Sequence, residues 1–360
     1  MPKLEMTDQL LSEARKRGKL IDRKEELIYS GFREGFRGIP RGTIVINERI
    51  IFGFPHIKRI FTLKKGLERN ITASYFYIEE KIDGYNLRIA KINGNVYAFS
   101  RGGFLDYFAS EKARELITPK FFSDFPDYVL CAEMVGNTPY TRPTKGFDVK
   151  IFVFDVDTGN GNYISPEERQ SLLKKYKIEE APSFGKFAIS DLKKIREIAL
   201  SIMKQRKEGI IFKSEDRKEA VKYVNPFADI EDIAGSSHSL FDMPLGFYVQ
   251  RVLRSAIFIR EFELNKEKFA KELGIAFYEK LTKAITEVEN DKQIYDDYEI
   301  IIKDLKIWDW IHRHMSKEIK IDEVSRTKAE NGKTKIKFRK IYKKSTHKIK
   351  EALSGKGIED

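Results

Sequence analysis

The chain has 360 residues, 41% of them hydrophobic and 34% charged, a soluble globular composition long enough for two or three domains. Its net charge of +12 favours a polyanionic partner, nucleic acid before a membrane surface. A single cysteine, Cys131, excludes an internal disulfide and a cysteine-built metal cage; no apolar run suits a signal peptide or a membrane span, so a cytoplasmic location is expected.

The first periodic segment is TDQLLSEARKRGK, where Thr7 can cap a helix carrying Leu10, Leu11 and Ala14 on one side. DRKEELIYSGF, residues 22–32, reads as a second helix, and GTIVINERIIFGFPHIKRIF, residues 42–61, turns β-branched and strand-like. From Tyr75 to Val224 strands dominate: YFYIEEK, YNLRIAKI, NVYAFS, YVLCAEMV, IFVFDV, GIIFKS and EAVKYV, with helical breaks at 110–117, 165–176 and 190–205. Asn93-Gly94 reads as a type I′ hairpin turn. The class is therefore α+β with a largely antiparallel sheet. After NPFADIEDIAGSSHS the pattern becomes helical to about Ser316. PLGFYVQRVLRSAIFIREFEL is apolar around most of a helix, with Gln250, Arg251, Arg254 and Ser255 as a narrow polar stripe, and is expected to be buried in a bundle or a homodimer interface. In NGKTKIKFRKIYKK, Lys333, Lys335, Lys337 and Arg339 alternate with Thr334, Ile336 and Phe338. That cationic strand face suits an RNA backbone; the alternative is a solvated edge strand whose lysines block aggregation.

Lys81 stands in YIEEKIDGYNLRI, near the join of two strands, beside Gly84, a residue able to take positive φ. An amine nucleophile needs a free electron pair, which desolvation, cationic neighbours or metal ions can provide. Arg101 follows in SRGG, and Glu133 lies inside the apolar strand VLCAEMVG, where an unpaired carboxylate is costly. Phe152 and Phe154 share a strand face and can stack on a base; KEGIIFK presents Glu208 and Lys213, and EAVKYV presents Lys222.

The order of these motifs resembles the ATP-dependent ligase and mRNA-capping superfamily of covalent nucleotidyltransferases, over about residues 75–225. Within it the chain looks like an RNA ligase, similar to the archaeal homodimeric ligases that circularise RNA. Asn86 stands where DNA ligases usually have arginine, and helices follow the last motif where DNA ligases and capping enzymes carry an OB barrel. The resemblance implies an antiparallel, ATP-grasp-like nucleotidyltransferase core at 71–235, preceded by an α/β segment at 1–70 and followed by a helical dimerisation region at 236–316 and a small basic module at 317–360. It implies that Lys81 attacks the α-phosphate of ATP and holds AMP as a phosphoramidate. Glu79 or Glu80 would bind the adenine edge, Phe154 would stack on it with Phe152 in reserve, and Glu133 would accept the ribose hydroxyl. Asp83 and Asn86 would position ribose and phosphates, Glu208 and Asp83 would hold Mg²⁺ or Mn²⁺, and Arg101, Lys213 and Lys222 would neutralise phosphate charge. The last motif often carries a second lysine where this chain has Val224, and Lys213 is expected to take over its role. The implied activity is ATP-dependent joining of RNA 5′-phosphate and 3′-hydroxyl ends. The rivals are DNA joining, RNA capping, or RNA binding without catalysis.

Other signals count against sites of their own. NGKT lacks the first glycine of a P-loop, since Thr327 occupies that place, and no helix directly follows TGNGNY. His312 and His314 point to different faces of a helix, which argues against a metal pair. His56 can either approach a nucleotide or pack at a strand end, and Cys131 fits a small buried residue.

Overall fold

The computed structural model describes residues 7–141, 143, 146–244, 246–316 and 319–357. Helix α1 (Asp8–Lys16) starts at Thr7, whose hydroxyl accepts from the Leu10 N–H, and it buries Ala14. Strands β1 (Leu20–Lys24), β2 (Ile28–Phe32), β3 (Ile44–Ile46) and β4 (Arg49–Ile51) form an antiparallel sheet in that order. The helix expected over 22–32 is thus a hairpin. Glu25 N–H donates to the Leu27 carbonyl at the turn, and Ser30 Oγ donates to Asp22 across the strands. Leu27 and Tyr29 bury against Ile92, Tyr97 and Phe99, a tertiary gain that outweighs the helical propensity of the charged run.

Next come β5 (Lys58–Arg59), α2 (Leu63–Asn70), β6 (Phe76–Lys81), β7 (Tyr85–Ile92), β8 (Asn95–Ser100) and β9 (Leu105–Asp106). They are followed by α3 (Tyr107–Leu116), α4 (Pro119–Asp124), β10 (Val129–Gly136), β11 (Val149–Asp157), α5 (Pro166–Tyr176), β12 (Ser183–Phe187), α6 (Leu192–Lys204), β13 (Gly209–Ser214) and β14 (Ala220–Val224). Two five-stranded sheets result, β11-β10-β7-β8-β9 and β12-β6-β13-β14-β5, antiparallel except for the β14–β5 pair. Asn93 and Gly94 both take positive φ, as a type I′ turn requires. The first sheet buries Leu87, Ile89, Leu130 and Ile151 against Phe108 and Phe121. The second buries Ile78, Ile210 and Phe212 against Ile195 and Ile202 of α6. This is the expected α+β architecture with largely antiparallel sheets.

The chain passes between the sheets at Ile82–Gly84. Gly84 does not use positive φ, contrary to expectation. It is needed for space: a Cβ there would lie 2.2 Å from the Met134 carbonyl oxygen of β10.

Helices α7 (Pro226–Ser236), α8 (Phe247–Glu261) and α9 (Lys266–Glu289) follow, then β15 (Tyr295–Ile302), α10 (Lys306–Met315), β16 (Lys320–Lys328), β17 (Thr334–Ile341) and α11 (Lys343–Leu353). The sheet order β15-β17-β16 means that the boundary expected at 316/317 cuts through one structural unit, because β15 belongs with the C-terminal strands. Helix α8 also lies the other way round from its expected stripe. Arg254 and Ser255 are buried, Arg254 pairing with Asp229 and Arg251 with Asp232 of α7, while Val249, Val252 and Leu253 are exposed.

On β17 the expected alternation holds: Ile336 and Phe338 are buried. The cations opposite them are not free, however. Lys333 pairs with Glu115 at 2.8 Å, Lys335 with Glu299 at 2.8 Å, Lys337 with Glu299 at 3.8 Å and Arg339 with Asp297 at 2.8 Å. The outer face is a mixed-charge ladder, with much of its positive field already compensated.

Candidate active site

A cleft of about 580 Å³ opens between the two catalytic sheets. It is lined by Glu79, Glu80, Lys81, Asp83, Asn86, Arg101, Glu133, Phe154, Glu208, Lys213 and Lys222, so these expected residues share one site. Phe152 lies on the same face of β11 but borders a neighbouring hollow with Lys207 and Glu231.

Lys81, the last residue of β6, is ion-paired to Glu208, which directly precedes β13. Burial pulls the Lys81 ammonium down, but Glu208, Glu133 and Asp83 outweigh it and hold the group charged above its ordinary value. Burial, reinforced by Glu208 and Asp83, pushes Glu133 up to about 7. Glu133 stands directly across from Asn86 in the β10–β7 register. Asn86 Oδ1 is buried and accepts no hydrogen bond among the described residues, an acceptor left open to a ligand in the cleft.

A group of cations borders these carboxylates. Arg59 on β5 stands beside Lys222 on β14, Arg101 lies close enough to repel Lys222, and burial followed by these three cations pushes His56 down, towards its neutral form. Among the described residues none of Arg59, Arg101 and Lys222 has a carboxylate within salt-bridge distance, and Arg59 Nε is buried without an acceptor. Burial first, then Arg59, Lys81 and Arg101, push Lys222 down to about 8. Like charges gathered without counter-ions make an anion site. Arg59 escaped the sequence reading, because its place beside Lys222 depends on a two-residue parallel strand.

A buried ionic network lies beneath one wall. Arg169 Nη2 donates to Glu79 at 2.7 Å, and Lys213 Nζ lies 2.7 Å from the other Glu79 oxygen and 3.3 Å from Asp155. Arg217 holds both Asp155 oxygens, at 2.6 and 2.5 Å. Lys213 also donates to the Phe154 carbonyl at 2.5 Å. Its ammonium is therefore committed to Glu79, Asp155 and Phe154, a poor placement for the phosphate role expected of it. Arg169, Arg217 and Asp155 were not foreseen; Arg217 meets Asp155 across 62 residues of chain and Arg169 meets Glu79 across 90, separations that no local pattern reports. Glu80, on the opposite strand face from Glu79, accepts from Lys207 at 2.6 Å. Above the network, Phe154 meets Phe54 edge-on at 5.1 Å, and Phe54, Ala181 and Ile211 complete an apolar slot.

Arg88 is fully buried and donates to the carbonyls of Gly42, Phe52 and Ser100 at 2.7, 3.0 and 2.6 Å. It ties the N-terminal sheet to the turn that carries Arg101. Among the described residues no three His, Cys, Asp or Glu side chains form a ready-made metal cage. Glu208, Asp83 and Glu133 are oxygen donors suited to Mg²⁺ or Mn²⁺, which bind through a few carboxylates together with substrate phosphates.

One cleft thus holds a lysine paired to a glutamate, an apolar slot, an open buried acceptor on Asn86, and three cations that have no carboxylate within salt-bridge distance among the described residues. Residues 74–224 match the RNA ligase family, and residues 236–356 match the Ligase Pab1020 C-terminal region. An uncharacterised protein of Methanocaldococcus jannaschii is 30% identical over 347 residues, covering 90% of this chain and 87% of its own length. A solved structure from Aquifex aeolicus, described as a candidate ATP-dependent DNA ligase, is 32% identical and superposes with a TM-score of 0.92, covering 98% of this chain and all of that one. An archaeal ATP-dependent RNA ligase superposes with a TM-score of 0.87 at 25% identity, covering 98% and 96% of the two chains. The chain belongs to the RNA ligase family and carries the Pab1020-type C-terminal region.

Proposed function

We propose that this protein is an ATP-dependent RNA ligase that joins a 5′-phosphate to a 3′-hydroxyl through a lysyl-AMP at Lys81 and an RNA-adenylate. The observation that carries this reading is Lys81 held by Glu208 in a cleft where Arg59, Arg101 and Lys222 gather with no carboxylate within salt-bridge distance among the described residues. Adenine enters the slot at Phe54 and Phe154, with Glu79 as its floor. The ribose hydroxyls meet Glu133 and Asn86, and the phosphates meet Arg59, Arg101 and Lys222.

Lys81 gives its proton to Glu208, and its lone pair attacks the α-phosphorus; the P–N bond forms and pyrophosphate leaves. An RNA 5′-phosphate oxygen then attacks the same phosphorus, the P–N bond breaks, and Lys81 regains a proton. The 3′-hydroxyl attacks the resulting RNA-adenylate, and AMP leaves. A divalent ion bound by Asp83 together with ATP, and by Glu208 once that carboxyl has passed its proton to solvent, would offset charge on the phosphates. When both ends belong to one strand, the product is a circle.

We also propose a homodimer through the C-terminal half, since α8 exposes Val249, Val252 and Leu253, and α9 exposes Ile275 and Tyr278. Tyr248 packs on Phe277 at 5.5 Å, bringing these two surfaces together. The similarity to the Aquifex aeolicus chain makes DNA joining the second reading. Sealing assays on matched 5′-phosphorylated RNA and DNA strands separate the two. The proposal expects RNA to be sealed faster; equal or faster sealing of DNA would overturn the RNA assignment.

A further inference from the structure

The cleft contains a second group of aromatic rings that the ATP reading leaves unused. Trp310 and His314, one turn apart on α10, line the same cleft as Lys81. Their rings stack at 5.0 Å with planes 7° apart. Trp310 also meets Tyr107 at 4.9 Å, and His314 meets Phe104 at 5.6 Å. The Arg23 guanidinium lies 3.9 Å from the Phe104 ring centre, so a cation borders the group.

On α10, Trp310 packs against the edge of the core without being buried in it. Ile307, Trp308 and Ile311 are its buried residues, while Trp310 and His314 stay half-buried at the cleft. The helix is also held in place. The Glu111 carboxylate accepts from the Lys303 and Asp304 N–H groups, at 2.9 and 3.0 Å, just before α10 begins. Lys333 closes a second tie to Glu115 of the same α3. The C-terminal region thus completes the catalytic cleft, and it does so with flat rings beside Arg101 and Gly102 rather than with a nucleophile or a metal ligand.

We propose that Trp310 and His314, with Phe104, form a base-stacking subsite for the terminal nucleotide of an RNA strand. This inference rests on the ligase reading and deepens it. Every base offers a π-face, so rings of this kind accept any terminal sequence while the cations hold the backbone. The shared chemistry is a nucleobase at a strand end, and the donor is either the 5′-phosphate strand or the 3′-hydroxyl strand. The ion-paired face of β17 then has no need to be the principal RNA contact.

The test uses the full-length protein and two RNA strands, intact or lacking the base of the terminal nucleotide at the 5′ or the 3′ end. In the wild type, removing the base from the stacked end should lower sealing kcat/KM about tenfold, and the end affected identifies the strand bound. In Trp310→Ala that ratio should fall towards 1, whereas Trp310→Phe should keep most of it. A folding or docking defect lowers both substrates alike and leaves the ratio unchanged, so it cannot imitate this result. A wild type indifferent to the base at both ends, or a Trp310→Ala protein that keeps the full ratio, overturns the subsite. A wild type that seals no RNA at all overturns the ligase reading beneath it.

Discussion

Lys81 and Lys222 carry the same charge under opposite conditions. Burial disfavours the charge on Lys81, but the surrounding carboxylates hold it protonated, so the proposed attack needs that proton to leave first, in our reading to Glu208. Burial first, then cationic neighbours, push Lys222 down to about 8, and it has no partner within salt-bridge distance among the described residues. At pH 8.5 much of the Lys222 population is therefore neutral. A bound triphosphate favours the charged form and raises the pKa, so ATP binding should take up protons between pH 8 and 9. The uptake should fade below pH 7, where Lys222 is already charged. Calorimetry in two buffers of different ionisation enthalpy measures this. Lys222→Arg keeps the charge but titrates too high to take up a proton there, so it should abolish the effect; uptake that persists in this variant would assign it elsewhere.

The strands were legible in the sequence, because period-2 alternation and β-branched residues reported both the elements and the faces they bury; the site residues were picked out by the resemblance to the ligase superfamily, and most of them line one cleft. The segment at 22–32 misled because a run of charges has helical propensity, while the hairpin's gain comes from Tyr97 and Phe99, far along the chain. Strand β15 was absorbed into the expected helical stretch, since its partner β17 lies some forty residues later and only that pairing selects the extended form. The narrow polar stripe of α8 was seen, but its direction was not, because Asp229 and Asp232 on α7 draw Arg254 and Arg251 inward. Arg88 belongs to this scale too. It joins three carbonyls from three segments, and nothing in the pattern of β7 distinguishes it from a surface arginine. Arg88→Met should leave those carbonyls without their donor and cost on the order of 3 kcal/mol, read as a lowered denaturant midpoint. An unchanged midpoint would mean that the N-terminal sheet is held without it.

At the scale of the whole molecule, the second catalytic sheet, α7 and α8 share one core, in which Ile210 and Phe212 meet Phe227 and Phe258. The first sheet shares another with the C-terminal strands, where Leu87 and Phe108 join Ile300, Trp308 and Phe338. Each half of the cleft is thus backed by part of the C-terminal region. The apolar side of α8 remains exposed on the single chain of 42.0 kDa, so light scattering at micromolar concentration should report about twice that mass. Leu253→Glu should return it to the monomer by placing a charge in the interface. A monomeric wild type would contradict the proposed dimer. In the described residues no helix is long and apolar enough to cross a membrane.

The central claim is that Lys81 becomes covalently adenylylated, and the direct measurement is incubation with α-labelled ATP and Mg²⁺ followed by denaturing electrophoresis. The label should remain on the wild-type chain and vanish in both Lys81→Ala and Lys81→Arg, because a guanidinium stays protonated and is a poor nucleophile. Label that survives either substitution, or a wild type that takes none, would contradict the account.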